Sequence, residues 1–97
     1  MIGVIVTFRF DDSFDGERVA KIAAEAAPRF EGMPGLRSKT FTFDEANGRA
    51  INFYVWDSDD AARAFFNDEL LERVTGLYGV KPTIDFVEVA ALVDNTH

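Results

Sequence analysis

Residues 36–43 read Leu36-Arg37-Ser38-Lys39-Thr40-Phe41-Thr42-Phe43, residues 44–48 read Asp44-Glu45-Ala46-Asn47-Gly48, and residues 49–57 read Arg49-Ala50-Ile51-Asn52-Phe53-Tyr54-Val55-Trp56-Asp57. Two runs rich in β-branched and aromatic side chains flank the best turn signal in the chain, which ends on Asn-Gly. The stretch predicts an antiparallel hairpin with strands over 36–43 and 49–57.

Upstream, residues 2–10 (IGVIVTFRF) read as another strand. Val4, Val6, Phe8 and Phe10 fall on one face, and Ile5, Thr7 and Arg9 on the other. Asp11-Asp12-Ser13 breaks it. Ser13 or Asp15 suits the cap of a helix over about 16–27, where Val19, Ile22, Ala23 and Ala26 recur at helical spacing. Pro28 stops or kinks that helix, and Glu31 to Gly35 form a loop.

Downstream, Ser58-Asp59-Asp60 starts a helix carrying Ala61, Ala62, Phe65 and Phe66. Asn67-Asp68 interrupts it. Leu70, Leu71, Val74, Leu77 and Tyr78 continue at helical spacing, Gly79 suits the helix end, and residues 83–93 read as the last strand. The order is strand, helix, strand, strand, one or two helices, strand. That is the split βαβ, ferredoxin-like order: one α+β domain over 1–97 with a four-stranded antiparallel sheet.

A 97-residue chain folded alone buries only about 60–65% of its unfolded surface. This one must accommodate ten Phe, two Tyr and one Trp, a first sign of a partner surface. With 17 acidic against 10 basic residues its net charge is −7, and it has no basic stripe; nucleic acid and anionic membranes are disfavoured as partners. The absence of cysteine removes disulfides, zinc–thiolate sites and thiol catalysis. The N-terminus lacks a basic region before its apolar run, so a signal peptide is not expected, and a cytoplasmic protein is.

Helices in this order cover one face of the sheet. The aliphatic side of the third strand, with Ile51, Phe53 and Val55, is the expected helix face. Asn52, Tyr54 and Trp56 then point to the open face, with Phe41, Phe43, Arg37 and Lys39 beside them on the second strand. Such a face predicts a homodimer that packs sheet on sheet and encloses a pocket at its centre.

Pro34-Gly35-Leu36, Ser38-Lys39, Tyr54-Val55-Trp56-Asp57-Ser58 with Ala61-Ala62 and Phe65, Tyr78-Gly79-Val80-Lys81-Pro82-Thr83-Ile84, and the ending Val89 to Asn95 resemble the YdhR-type mono-oxygenases. That resemblance implies the dimeric α+β barrel superfamily, which holds antibiotic-biosynthesis mono-oxygenases, haem-degrading enzymes, isomerases and decarboxylase-like proteins; the fold alone does not select among them. Asn52 and Trp56 are similar in type and spacing to the Asn and Trp of cofactor-free quinone-forming mono-oxygenases of that group. Four strand residues span about 13 Å with both side chains on one face. The pair can bracket a ring system and donate hydrogen bonds to a phenolate or enolate oxygen. A substrate anion of that kind reduces oxygen directly, so no cofactor or metal is called for.

Tyr54 lies between the two as a proton donor or orienting group. If Val4, Val6 and Phe8 pack under the helices, Thr7 and Arg9 face the pocket, where a cation favours an anionic substrate. Lys39 and Phe41 join them as substrate-binding candidates. Each residue also has a structural alternative: packing for Trp56 and Tyr54, a backbone contact for Asn52, solvent for Arg9 and Lys39. The helix position where the antibiotic mono-oxygenases usually carry His or Tyr is here Ala61, Ala62, Ala64, Phe65 and Phe66. The sole histidine is His97, so haem ligation and histidine acid–base catalysis lack their central residue. The expected function is cofactor-independent mono-oxygenation of a small phenolic or polycyclic aromatic molecule. A ligand-binding or dimerisation module, and an isomerase or lyase, stand as alternatives.

Overall fold

The computed structural model describes residues 1–95; His97 lies outside them. Strands β1 (Ile2–Arg9), β2 (Leu36–Asp44), β3 (Arg49–Trp56) and β4 (Thr83–Glu88) form one antiparallel sheet in the order β2-β3-β1-β4. Helices α1 (Gly16–Ala26), α2 (Asp59–Phe65) and α3 (Asp68–Tyr78) complete the ferredoxin-like α+β architecture.

Local chemistry sets the helix ends. Asp15, rather than Ser13, caps α1 by accepting from the amides of Glu17 and Arg18. Ser58 caps α2 through the amide of Ala61, and Asn67 caps α3 through that of Leu70. Asn67-Asp68 thus separates two helices. Gly79 closes α3 in the left-handed region, at φ +83°. Pro28 turns the end of α1 into a 3-10 turn over Ala27–Phe30, which carries the Phe30 ring over the sheet. β4 ends at Glu88 rather than 93. Its ladder with β1 ends at the Ile2–Glu88 pair, and beyond it the Val89 amide donates to the Met1 carbonyl at 3.4 Å.

The faces of β3 are opposite to the sequence expectation. Tyr54 pairs with Val4, Asn52 with Val6 and Ala50 with Phe8. Directly opposed residues share a face, so Asn52, Tyr54 and Trp56 lie under the helices with Val4, Val6 and Phe8. Lys39 and Phe41, paired with Tyr54 and Asn52 across β2, lie there too. Ile51, Phe53 and Val55 take the open face with Ile5 and Thr7. Volume decides where polarity cannot. The helix layer brings Phe30, Phe65 and Phe66 against Tyr54 and sets the small Ala61 and Gly35 beside Trp56. On the open face, a side chain at Gly3 would meet the Phe53 ring at 3.3 Å and Val87 at 3.0 Å. The large rings therefore fill the helix side, while Phe53 and Val87 cover a glycine on the other.

Candidate active site

The cavity these faces create lies within one chain, between sheet and helices, and not at the centre of a sheet-to-sheet dimer. Its volume is about 210 Å³, larger than the ~150 Å³ apolar cavity that admits benzene. Val6, Phe8, Phe41, Asn52 and Tyr54 form the sheet side. Ile22 of α1, Phe30 of the 3-10 turn, Phe65 of α2, and Leu70, Val74 and Tyr78 of α3 are among the residues that close it.

Few polar groups reach this apolar space. Asn52 is buried, and its Nδ2 donates to Tyr78 Oη at 3.4 Å. The Tyr78 ring stacks on Phe8 with centroids 3.8 Å apart. The Tyr54 hydroxyl has no hydrogen-bond partner among the described residues. Burial raises the pKa of both phenols; at Tyr54 the nearby Tyr78 adds to the effect, and at Tyr78 the Asn52 hydrogen bond opposes it. Both stay protonated at neutral pH and can donate to an anionic oxygen.

The other polar groups are cationic. Arg29 and Arg73, both exposed, line the cavity with Lys39, and none of its lining residues is an Asp or Glu. In a chain of net charge −7, that local balance favours anions. Lys39 Nζ stands 3.6 Å from the Phe30 ring centroid, 4.0 Å from Phe41 and 4.3 Å from Tyr54. Such contacts attract an ammonium by about 0.5–1 kcal/mol at exposed sites and about 2 kcal/mol when desolvated. Removal from water acts the other way and pulls the amine down to about 7.

The structure thus brings Asn52, Tyr54, Lys39 and Phe41 together and leaves three residues apart. Thr7 and Arg9 do point away from Val4, Val6 and Phe8, but the cavity is on the other side of the sheet. Thr7 packs between Ile51 and Thr83, and Arg9 Nη1 donates to Thr83 Oγ1 at 3.4 Å. Trp56 sits one step along the face from Tyr54, stacked on it with centroids 6.2 Å apart, and does not line the cavity. Its indole N–H is buried without a partner. Tyr78, Arg29 and Arg73 were not singled out from the sequence. For Tyr78 a signal existed: a phenol on the apolar stripe of α3, in register with Leu70, Leu71 and Val74.

The sequence matches no protein-family profile and no curated protein. Solved structures do match. A mono-oxygenase from the gene ActVA-Orf6 of Streptomyces coelicolor, crystallised with nanaomycin D, is 18% identical, with a TM-score of 0.72 over 98% of this chain and 92% of that one. SnoaB, a cofactor-independent oxygenase from Streptomyces nogalater, is 17% identical, with a TM-score of 0.67 over 95% of each chain. MhuD, crystallised with two manganese protoporphyrin IX molecules per active site, is 19% identical, with a TM-score of 0.72 over 98% of this chain and all of that one. The fold is that of the antibiotic-biosynthesis mono-oxygenase-like proteins. The cavity lining holds no histidine or cysteine. Among the described residues no group of His, Cys, Asp and Glu is placed to hold a metal ion, and no helix is long and apolar enough to cross a membrane.

Proposed function

We propose that the protein is a cofactor-independent mono-oxygenase acting on a small phenolic or polycyclic aromatic compound. The carrying observation is the apolar cavity in which Asn52, Tyr54 and Tyr78 present neutral donors beside cations, with no carboxylate in the lining. An electron-rich aromatic ring fits the walls, and its phenolate or enolate oxygen is matched by amide and phenol donors, whose hydrogen bonds are strong in such a site. Asn52 binds and polarises, Tyr54 donates, and Trp56 holds the Tyr54 ring from behind. A larger ring system has room to extend past Phe30, Lys39 and Phe41, which also line an adjoining groove of about 380 Å³. The YdhR-type motifs and the two oxygenases of like fold support the same class.

The protein acts as a homodimer in this proposal. The sheet's face away from the helices carries the half-buried Ile5 and Ile51 and the buried Val55, with Phe53 and Val87 38% and 39% exposed. An apolar face of that kind marks an interface, and a dimeric ferredoxin-like protein from Thermobifida fusca has a like fold, at 16% identity and a TM-score of 0.68 over 91% of this chain and 90% of that one. The activity test is oxygen uptake by metal- and flavin-free protein given anthrone or a hydroquinone. Uptake above the uncatalysed background, lost in Asn52→Ala, supports the assignment. Quenching of Trp56 fluorescence by the same compounds without oxygen uptake replaces it with a ligand-binding module.

A further inference from the structure

We propose that Lys39 is the base of this cavity: its neutral amine takes a proton from an acidic C–H or O–H of the bound aromatic, and the resulting ammonium holds the enolate or phenolate so formed. The inference rests on the mono-oxygenase assignment and adds a catalytic residue to it.

Position carries the argument. Lys39, Phe30 and Phe41 line both the inner cavity and the outer groove, so the amine stands at the boundary between them. Three ring faces surround Nζ at 3.6, 4.0 and 4.3 Å. Among the described residues it has no hydrogen bond and no ion pair. Lys39 is half-buried, and an ammonium withdrawn even partly from water loses hydration that a partner would ordinarily replace. One that is enclosed by rings and left unpaired is poised to exchange its proton near neutrality, in keeping with its lowered affinity for one.

The surrounding groups reinforce this. β3 presents Asn52 and Tyr54, the 3-10 turn presents Arg29, and α3 presents Arg73 and Tyr78. α1 and α2 contribute only apolar residues to the cavity. Glu31 and Arg37 line the groove outside. The groups facing inward are cationic or neutral, so no carboxylate competes for the proton or anchors the ammonium.

The chemistry balances. For an anthrone-type methylene, one C–H bond breaks, its electron pair stays on the substrate as the enolate, and the proton completes the Lys39 ammonium. Molecular oxygen then forms a C–O bond at that carbon, oxidising the anion to a peroxide, and loss of the second C–H with cleavage of the O–O bond leaves the carbonyl. Overall the methylene and one O2 give a carbonyl and one water, and Lys39 returns its proton as that water forms.

Emodin is a suitable probe, being yellow as a phenol and red as a phenolate. Wild-type protein is expected to quench Trp56 fluorescence and redden bound emodin at a pH where free emodin is yellow. Lys39→Met should still quench but leave the probe yellow. Lys39→Arg keeps the charge without a base near neutrality; it should redden the probe yet lose at least about ten-fold in oxygen uptake with anthrone, together with the rising limb of the pH–rate profile near 7. As a check that needs no variant, reductive methylation with labelled formaldehyde reports the three lysines, Lys21, Lys39 and Lys81, by NMR; one methylated amine should titrate well below the other two.

Lys39→Met reddening the probe as wild type does, Lys39→Arg turning over with an unchanged pH profile, or three lysines titrating together would overturn the proposal. Probe ionisation through Lys39 without oxygen uptake by wild type would leave Lys39 as a base and overturn the mono-oxygenase assignment instead. Failure of emodin to bind at all would overturn both.

Discussion

Asn52 Nδ2 donates to Tyr78 Oη across 3.4 Å and so ties the middle of β3 to the last turn of α3 on the far side of the cavity. The bond is long, and the remaining amide hydrogen and the carbonyl oxygen of Asn52 have no partner among the described residues. Asn52 is held in place while keeping capacity for a ligand. Tyr78→Phe preserves the stack on Phe8 and removes the acceptor. Its expected cost is about 1 kcal/mol, the low end for a buried group left unsatisfied, read from urea melts. Asn52→Ala removes the donor facing the substrate, and oxygen uptake should fall by roughly 10²–10³ with the fold retained.

The stability of the protein should rise with pH across neutrality. The Lys39 amine sits at about 7 in the fold against 10.5 in water, because burial disfavours its charge. Between those values the unfolded chain binds a proton that the folded chain does not. The contribution is therefore largest above the unfolded value and is lost as pH falls to the folded one. Tyr54 and Tyr78 are shifted upward, so they lower stability only beyond the ordinary phenol value, where the unfolded chain ionises first. Urea midpoints should climb from about pH 7 to about pH 9.5, and Lys39→Met should flatten that climb. A flat wild-type profile counts against a half-buried, unpaired amine.

The hairpin, the start of α2, the end of α3 and the buried face of β1 were legible because each depends on local chemistry: Asn47-Gly48, Ser58, Gly79, and the alternation of β1. The side of β3 that faces the helices was not. Ile51-Phe53-Val55 and Asn52-Tyr54-Trp56 are both compatible with burial, and an aliphatic row looks more core-like than a row containing an amide. What separates them is space supplied from elsewhere, by Gly3 beneath Phe53 and by Gly35 and Ala61 beside Trp56. Those contacts join residues remote in sequence. The same reversal moved the expected pocket from the dimer seam to the chain's interior, carrying Asn52, Tyr54, Lys39 and Phe41 with it and leaving Thr7 and Arg9 behind.

Two glycines should respond in opposite directions to alanine. Gly35 has φ +83°, and a Cβ there would lie 3.1 Å from the Ala61 Cβ at the start of α2. Left-handed backbone costs a non-glycine residue about 1–2 kcal/mol, and the contact adds to it. Gly35→Ala is therefore expected to destabilise by at least that amount. Gly76 lies within α3 with nothing inside 4 Å of its would-be Cβ. Gly76→Ala should stabilise by about 0.5–1 kcal/mol. Thermal melts of the two variants test the helix-side packing around Trp56 against a simple propensity effect.

Neighbouring residues on β3 should divide fold stability from assembly. Tyr54 is buried under Phe30, Phe65 and Phe66, whereas Phe53 is 38% exposed on the opposite face. Truncating a buried aromatic costs about 3–5 kcal/mol, so Tyr54→Ala should lower the urea midpoint severely. Phe53→Ala should cost the chain itself far less, because its ring, with Val87, covers Gly3 without being enclosed. The expectation from the aliphatic row alone is the reverse order, and the melts decide between the two faces directly. Phe53→Lys adds the test of assembly. A charge in the middle of the apolar face should dissociate the dimer at micromolar concentration, seen by sedimentation as a species near 10.8 kDa, while Trp56 fluorescence stays native. Because the cavity lies on the other side of the sheet, that monomer should still bind emodin. A wild-type monomer at the same concentration would remove the dimer from the proposal without touching the cavity, and loss of emodin binding in a folded Phe53→Lys monomer would show that the partner supports the cavity through the sheet.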